Sequence, residues 1–195
     1  MSNFYISDTH FFHKNIAGGK NYDKRPYETL EEMHEDMKNK WNSVVTNADH
    51  VYILGDMTWK ATDEAIEFIK SLNGNKHLIL GNHDFTHNNK LKNLFVEVVH
   101  YKEMKDKVDG IEYKLVLSHY PIMMWNGQHR GAIHLYGHVH NSHESELYKR
   151  LLFEFNDWYK NRDGEKYNPS IAYNVGCMHW NYTPVTLEQI LNQEA

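Results

Sequence analysis

Five short polar segments of this sequence carry the residue types that bind metal ions and transfer protons. Each follows a run of apolar residues typical of a buried strand. In open α/β sheets, ligands bind beyond the carboxyl ends of the strands, so these five strand ends are expected to converge on one place. The segments are Asp8-Thr9-His10, Gly55-Asp56, Gly81-Asn82-His83-Asp84, Ser118-His119 and Gly137-His138-Val139-His140.

The side chains of these segments form a mixed nitrogen and oxygen ligand set of two carboxylates, four imidazoles and an amide oxygen. Such a set suits manganese, iron, zinc, cobalt or nickel, and the lack of sulfur disfavours a closed structural zinc site. Asp8 and His10 are two residues apart, as are His138 and His140. Since residues i and i+2 of an extended segment face the same way, each pair is expected to direct both side chains at one site.

The elements that must position these segments alternate between strands and helices. Asp109-Gly110 predicts a hairpin turn between residues 96–104 and 111–117. Helices are predicted to begin near Thr29, Thr62 and Thr186, each of which has the composition of an N-cap. Further strands are predicted over residues 4–6, 51–54, 77–80, 134–136 and 171–175.

A longer helix is predicted over residues 145–162. Its apolar stripe of Leu147, Leu151, Phe155 and Trp158 is expected to pack on the core. The alternative is that this helix forms a lid or a dimer contact.

The composition indicates a cytoplasmic protein with one domain over residues 1–195. The sequence has 41% hydrophobic and 24% charged residues, and no domain linker, signal peptide or membrane span is recognised. Cys177 is the only cysteine, so no internal disulfide can form, which suits a reducing compartment. The formal net charge of -5 argues against a general nucleic-acid binder, although bound metals can reverse the local sign.

In their order and residue content, the five segments resemble the signature of the calcineurin-like metallophosphoesterase family. That signature is Asp-x-His, Gly-Asp, Gly-Asn-His-(Asp/Glu), a lone His and Gly-His-x-His, and all five parts are intact between residues 8 and 140. The surrounding residues are similar to small single-domain bacterial and phage-type members. The resemblance implies an α/β fold (α+β in some schemes), a four-layer αββα sandwich of two mixed sheets flanked by helices.

The resemblance also implies a binuclear metal centre, with manganese the expected metal and iron, zinc, nickel and cobalt the alternatives. His83 would face the substrate, and a metal-bridging hydroxide would attack phosphorus while His83 assists the leaving oxygen. Asp84 is grouped with His83 as catalytic, either orienting that ring or holding its loop. The implied ligands are Asp8, His10 and His140 for the first metal, Asn82, His119 and His138 for the second, and Asp56 as the bridge between both.

Four further residues are candidates for binding the substrate. His13 and Arg25 follow the first motif, and Trp125 and Asn126 follow His119 by a few residues. Arginine can fork onto a phosphate and tryptophan can stack on a base, whereas solvated or packed loop residues are the alternative for each. Flanking aromatic residues and the lack of an arginine pair favour a small diester or nucleotide-like substrate over a monoester.

Two other functions compete with this interpretation. A nuclease would be expected to show a basic groove, which this acidic chain lacks in its sequence. A binding or scaffold module of the same fold would be expected to have lost ligands or the motif histidine. Here His83 and every implied ligand remain. The sequence does not indicate the oligomeric state.

Overall fold

The apolar runs form two β-sheets in the computed structural model, which describes residues 1–18, 23–84, 88–163 and 167–193. The bounds of most strands lie within two residues of the sequence prediction. In chain order the strands of the described part are β1 Asn3–Ile6, β2 His50–Ile53, β3 Asn75–Ile79, β4 Glu97–Val99, β5 Tyr101–Val108, β6 Ile111–Ser118, β7 Ile133–Tyr136, β8 Ile171–Asn174 and β9 Val185–Thr186.

Both sheets are mixed. The first has the order β4-β3-β2-β1-β9, in which β1 to β4 run parallel and β9 pairs antiparallel with β1. The second has the order β5-β6-β7-β8, in which only the β5–β6 pair is antiparallel. The carboxyl ends of β1, β2, β3, β6 and β7 carry the five polar segments identified in the sequence.

The predicted hairpin is confirmed, but only the second part of its predicted first strand, from Tyr101 onwards, belongs to it. Asp109 and Gly110 have φ angles of 50° and 80°, the left-handed pair that a two-residue type I′ turn requires. Residues 96–104, predicted as one strand, are divided between the two sheets: β4 pairs with β3 and β5 pairs with β6. A continuous run of alternating residues cannot reveal this change of sheet, because side-chain periodicity is the same on either side of it.

Helices cover the outer faces of both sheets, and the N-caps predicted for three of them are confirmed. The side chains of Thr29, Thr62 and Thr186 each accept a backbone N–H of the first helical turn. No helix in the described ranges is both long and apolar enough to cross a bilayer. The α-helices of these ranges are α1 Leu30–Val44, α2 Asp63–Lys70, α3 Asn89–Lys92, α4 His143–Asp163 and α5 Leu187–Asn192.

The four layers αββα predicted from the resemblance are confirmed by the way the apolar residues are distributed. Met33 and Trp41 of α1 and Ile69 of α2 are buried on the outer face of the first sheet. Tyr5, Leu117 and further apolar residues fill the space between the sheets. Helix α4 packs on the outer face of the second sheet. Burial of these side chains contributes roughly 25 cal/mol per Å² of apolar surface, which stabilises the sandwich without disulfides.

Helix α4 packs through a different stripe from the one predicted. Leu147, Leu151 and Trp158 are 46%, 39% and 56% exposed, so most of this predicted core face is exposed. Phe155, the fourth member of the stripe, is half-buried beside the rings of His129 and Tyr159. The helix instead buries Tyr148 against Tyr136 and Val139, with Leu152 packed against the same cluster. Two apolar stripes run along this helix, and the sequence pattern alone does not indicate which one meets the sheet.

One buried histidine of the second sheet is fixed in its neutral form. His134, on β7, is fully buried, and its Nδ1 donates to the carbonyl oxygen of Val116 at 3.0 Å. Its Nε2 accepts the backbone N–H of Ile122 at 3.1 Å, so this nitrogen acts as an acceptor and carries no proton. Burial lowers the pKa of His134 to about 4.

We expect the free energy of unfolding of the metal-free protein to decrease as the pH falls from 7 towards 4. Above the ordinary pKa of 6.5 the His134 ring is neutral in both the folded and the unfolded state. Below that pH the ring is protonated in the unfolded chain, whereas in the folded chain it stays neutral down to about pH 4. This shift corresponds to about 3 kcal/mol, at roughly 1.4 kcal/mol per pKa unit.

Urea unfolding in EDTA, followed by circular dichroism across this pH range, measures the effect. His134→Gln should flatten the pH dependence relative to wild type. His143→Gln is the matched control because the His143 side chain is fully exposed on α4. An unchanged pH dependence in His134→Gln would contradict the assignment.

Candidate metal centre

The residues predicted as metal ligands meet at one end of the two sheets. They surround an open cleft with a volume of about 610 Å³, into which His10, Asp56, Asn82, His138 and His140 project. Their proximity follows from the topology, because the carboxyl ends of β1, β2 and β3 lie side by side in the first sheet and those of β6 and β7 lie side by side in the second.

Asp8, His10 and His140 form the first ligand cluster, with their ligand atoms within 4.8 Å of one another. The Nε2 atoms of His10 and His140 are 3.1 Å apart, and Nε2 of His140 lies 3.5 Å from Oδ1 of Asp8. Burial, reinforced by the charge of His140, lowers the pKa of His10 well below its ordinary value, which favours the neutral imidazole that a metal requires.

Asp56, His119 and His138 form the second cluster, with their ligand atoms also within 4.8 Å of one another. Nδ1 of His138 lies 3.2 Å from Nε2 of His119, and the side-chain oxygen of Asn82 lies 3.1 Å from that same nitrogen. Burial lowers the pKa of His138 as well. The grouping agrees with the ligand sets that the resemblance implied.

The carboxylate of Asp56 lies between the two clusters. Its Oδ2 is 3.7 Å from Nε2 of His10, and its Oδ1 is 3.6 Å from Nε2 of His119. One side chain therefore faces ligands of both groups, as a bridging carboxylate would.

The hydrogen bonds around these clusters direct the Nε2 atoms of two ligand imidazoles at carboxylate oxygens. His119 donates through Nδ1 to the carbonyl oxygen of Leu54 at 2.8 Å, so its Nε2 faces Asp56 as an acceptor. His140 makes the equivalent bond from Nδ1 to Asp23 at 2.9 Å, which leaves its Nε2 facing Asp8. Acceptors that face one another at such distances need a positive charge between them, and a divalent cation supplies it. The side chains present therefore fit a pair of metal ions.

The backbone at most of these ligands is left-handed, which differs from the extended geometry expected from their spacing. The φ angles of Asp8, His10, Asp56, His138 and His140 are 56°, 49°, 52°, 69° and 45°. A residue other than glycine costs roughly 1–3 kcal/mol in this region, and such strain is concentrated at functional sites. The paired side chains meet because the loops curl, and not because the segments are extended.

Glycine at two of the motifs permits the loops to approach each other. A side-chain carbon at Gly81 would collide with Oδ1 of Asp56, and one at Gly137 would collide with the side chains of Ser7 and Asp8. These glycines therefore bring ligand loops from different strands into direct contact.

His83 lies at the open side of the cleft and belongs to neither ligand cluster. Its backbone N–H donates to Oδ1 of Asp56 at 2.9 Å, while its imidazole packs against Trp59 with the ring centroids 4.4 Å apart. The side chain is exposed and lines the cleft. This position is compatible with contact to a substrate.

Asp84 adopts the second of the two roles considered for it. Its carboxylate accepts the backbone N–H groups of Gly81, Asp56 and Met57 at 2.8, 2.9 and 3.0 Å. These bonds join the loop after β3 to the loop after β2. Among the described contacts, none joins this carboxylate to the His83 ring, so the geometry favours a loop-holding role over a catalytic one.

Of the four predicted substrate contacts, only His13 lines the cleft, and three need correction. Arg25 is 4% exposed and donates to backbone carbonyls beneath the ligand loop. Trp125 is buried, with its Nε1 bonded to the carbonyl oxygen of Ala132, and Asn126 donates to Glu103 on the surface. Closeness in sequence to a motif does not determine the direction in which the following loop turns.

Several residues that line the cleft were not predicted from the sequence, and two of them contact predicted site histidines. Trp59 lies in the cleft wall, 36% exposed, with the ring of His13 4.0 Å away on one side and that of His83 on the other. Its position three residues after Asp56 is the signal that could have identified it. Asp23 hydrogen-bonds to His140, and it lies outside every motif.

Comparisons with known proteins agree with this geometry. A family model described as calcineurin-like phosphoesterase matches residues 4–190. An uncharacterised protein of Methanocaldococcus jannaschii is 35% identical over 145 residues, which are 73% of this chain and 72% of that protein. The gene 66 protein of Mycobacterium phage L5 is 29% identical over 167 residues, which are 72% of this chain and 79% of that protein.

A solved structure shows the same fold. A protein of unknown function from Aquifex aeolicus matches with a TM-score of 0.68 and 24% identity, and 98% of each chain is covered. The family model spans almost all of the chain, and the four-layer fold and the two ligand clusters agree with it. This chain therefore belongs to the calcineurin-like phosphoesterase family, whose members are metal-dependent.

Proposed function

We propose that this protein is a binuclear metal-dependent phosphoesterase that hydrolyses small phosphate esters, with a preference for diesters and nucleotide-like compounds. The observation that carries the proposal is the pair of acceptor clusters joined by Asp56, with His83 beside them at the open side of the cleft. Manganese is the proposed metal, since a mixed set of carboxylates, imidazoles and an amide suits it.

The roles of the chain's own residues follow from their positions. One cation would be held by Asp8, His10 and His140. The other would be held by Asn82, His119 and His138, and Asp56 would bind both. Two such cations would supply the positive charge that attracts phosphate oxygens and would make a bound water molecule more acidic. The buried carboxylates of Asp8 and Asp56 receive backbone N–H groups from His138 and His83, which keeps their oxygens aimed at the clusters.

His83 is the proposed donor to the leaving oxygen. Its ring belongs to the exposed wall of the cleft, 5.9 Å from the ring of His10 between centroids, and lies outside both ligand clusters, so it is available to a substrate that bridges the clusters and the wall. A positioned imidazole can protonate a leaving oxygen or stabilise its charge near neutral pH.

The proposed preference for diesters rests on the basic and aromatic side chains that line the cleft. Among the described residues that line the cleft, Lys24 is the only lysine or arginine. Arg25 is buried and its side chain is directed away from the cleft. A dianionic monoester therefore finds no arginine fork here. Trp59, and not Trp125, is the exposed indole that a base or aryl group could contact.

We expect His83→Ala to lower kcat for an aryl phosphodiester by about 100- to 10,000-fold, the usual contribution of a positioned acid or base. Manganese binding should be unchanged, because His83 lies outside the ligand clusters. The measurement is steady-state hydrolysis with manganese together with calorimetric titration of the metal. His143→Ala is the control, since His143 is exposed on α4.

Wild type that binds two ions but stays inert across aryl esters, nucleotides and cyclic nucleotides would favour the binding-module alternative. Cleavage of oligonucleotides with binding that weakens steeply as salt rises would favour the nuclease.

We expect Asp56→Asn to weaken both metal sites together, because its carboxylate faces both clusters. The loss of affinity should exceed the roughly 10- to 100-fold that is typical of a residue that only supports a ligand. Manganese titration of the metal-free protein measures it, and Asp63→Asn, an exposed carboxylate on α2, is the control. Weakening of one site only would contradict the bridging role.

A further inference from the structure

Arg25 and Asp23 form a buried ion pair directly beneath the first ligand cluster. Nε of Arg25 donates to Oδ2 of Asp23 at 2.8 Å, and both side chains are almost fully excluded from solvent. A buried pair of opposite charges is expensive to remove from water, so it is retained where each partner makes further specific bonds. Both partners here do so, and those bonds lead to metal ligands.

Arg25 holds the backbone of the first ligand loop. Its Nη2 donates to the carbonyl oxygen of Asp8 at 2.6 Å, and its Nη1 donates to that of Thr9 at 2.8 Å. Asp8 is one of the residues held in the left-handed region, with a φ of 56°. The planar guanidinium can make these bonds and the bond to Asp23 at the same time, which an ammonium group cannot reproduce.

Asp23 holds the side chain of a ligand from the other sheet. Its Oδ1 accepts Nδ1–H of His140 at 2.9 Å, which places a proton on Nδ1 and directs Nε2 at Asp8. The other oxygen of the same carboxylate, Oδ2, accepts Nε–H of Arg25 at 2.8 Å. The carboxylate is therefore held from both sides and acts as a fixed acceptor.

We infer that Arg25 and Asp23 are positioning residues that join the ligand loop after β1 to His140 and so set the affinity of the first metal site. The inference rests on the proposed function, since it concerns the same metal centre. It also replaces the substrate-binding role expected for Arg25 with one in holding the ligands.

The test is a manganese titration of the metal-free protein, comparing wild type with Asp23→Asn and Arg25→Lys. These changes are close in size to the native side chains, and circular dichroism and urea unfolding show whether each variant folds. We expect one of the two sites to weaken by about 10- to 100-fold while the other keeps its affinity. Arg150→Lys and Asp157→Asn, exposed positions of α4, are the controls and should bind as wild type does.

A second measurement does not need a metal or activity. In the metal-free wild type, nitrogen-resolved NMR of the imidazoles should show a slowly exchanging Nδ1–H for His140, assigned by its absence in His140→Gln. Asp23→Asn should remove the protection of this proton. A His140 with no proton on Nδ1 in wild type would overturn the inference.

The outcomes separate the two proposals. Variants that bind both ions with wild-type affinity, in an enzyme that hydrolyses esters, overturn the inference alone. Wild type that binds two ions without hydrolysis overturns the proposed function, and the affinity difference between the variants still supports the inference. Wild type that binds no manganese overturns both.

Discussion

The site depends on one electrostatic constraint: buried acceptor atoms that face one another need a positive charge among them. Asp8 and Asp56 are 0% and 2% exposed, and imidazole Nε2 atoms from both sheets lie within 3.5–3.7 Å of their oxygens. Removing a carboxylate from water costs several kcal/mol unless other groups replace its hydration. Backbone N–H groups of His83 and His138 replace part of it, and the bound cations of the proposed centre would replace the rest.

The loops that carry these acceptors are held in two pairs, one on each side of the centre. Asp84 joins the loop after β3 to the loop after β2 through three backbone N–H groups. The pair of Arg25 and Asp23 joins the loop after β1 to His140, whose side chain comes from the second sheet. Asp56 faces both clusters, so its carboxylate connects the two halves. The strained ligand backbone is thus supported from outside by side chains that do not bind the metals.

The strands, the helix starts and the convergence of the polar segments were predictable from local signals, namely apolar runs, threonine caps and polar residues at strand ends. The four-layer arrangement and the grouping of the ligands were predicted from the family resemblance. The buried stripe of α4 was not predictable, because this helix has two apolar stripes and only tertiary packing selects the one with Tyr148. The roles of Arg25 and Trp125 were wrong because a loop can direct a side chain inwards as easily as into the cleft. Trp59 enters the cleft only through the curl of the loop that carries it.

The left-handed ligand loops restrict how this site can change during evolution or redesign. Asp, Asn and His are the residue types other than glycine that tolerate positive φ best, and they are also metal ligands. Glutamate or cysteine in place of Asp8 or His138 would keep a metal-binding atom but would tolerate the positive φ less well. Glycine would tolerate the positive φ but would lose the metal-binding atom. Asn82 and His119 lie outside the left-handed region. A change of metal preference by exchange of a ligand is therefore most accessible at the second cluster.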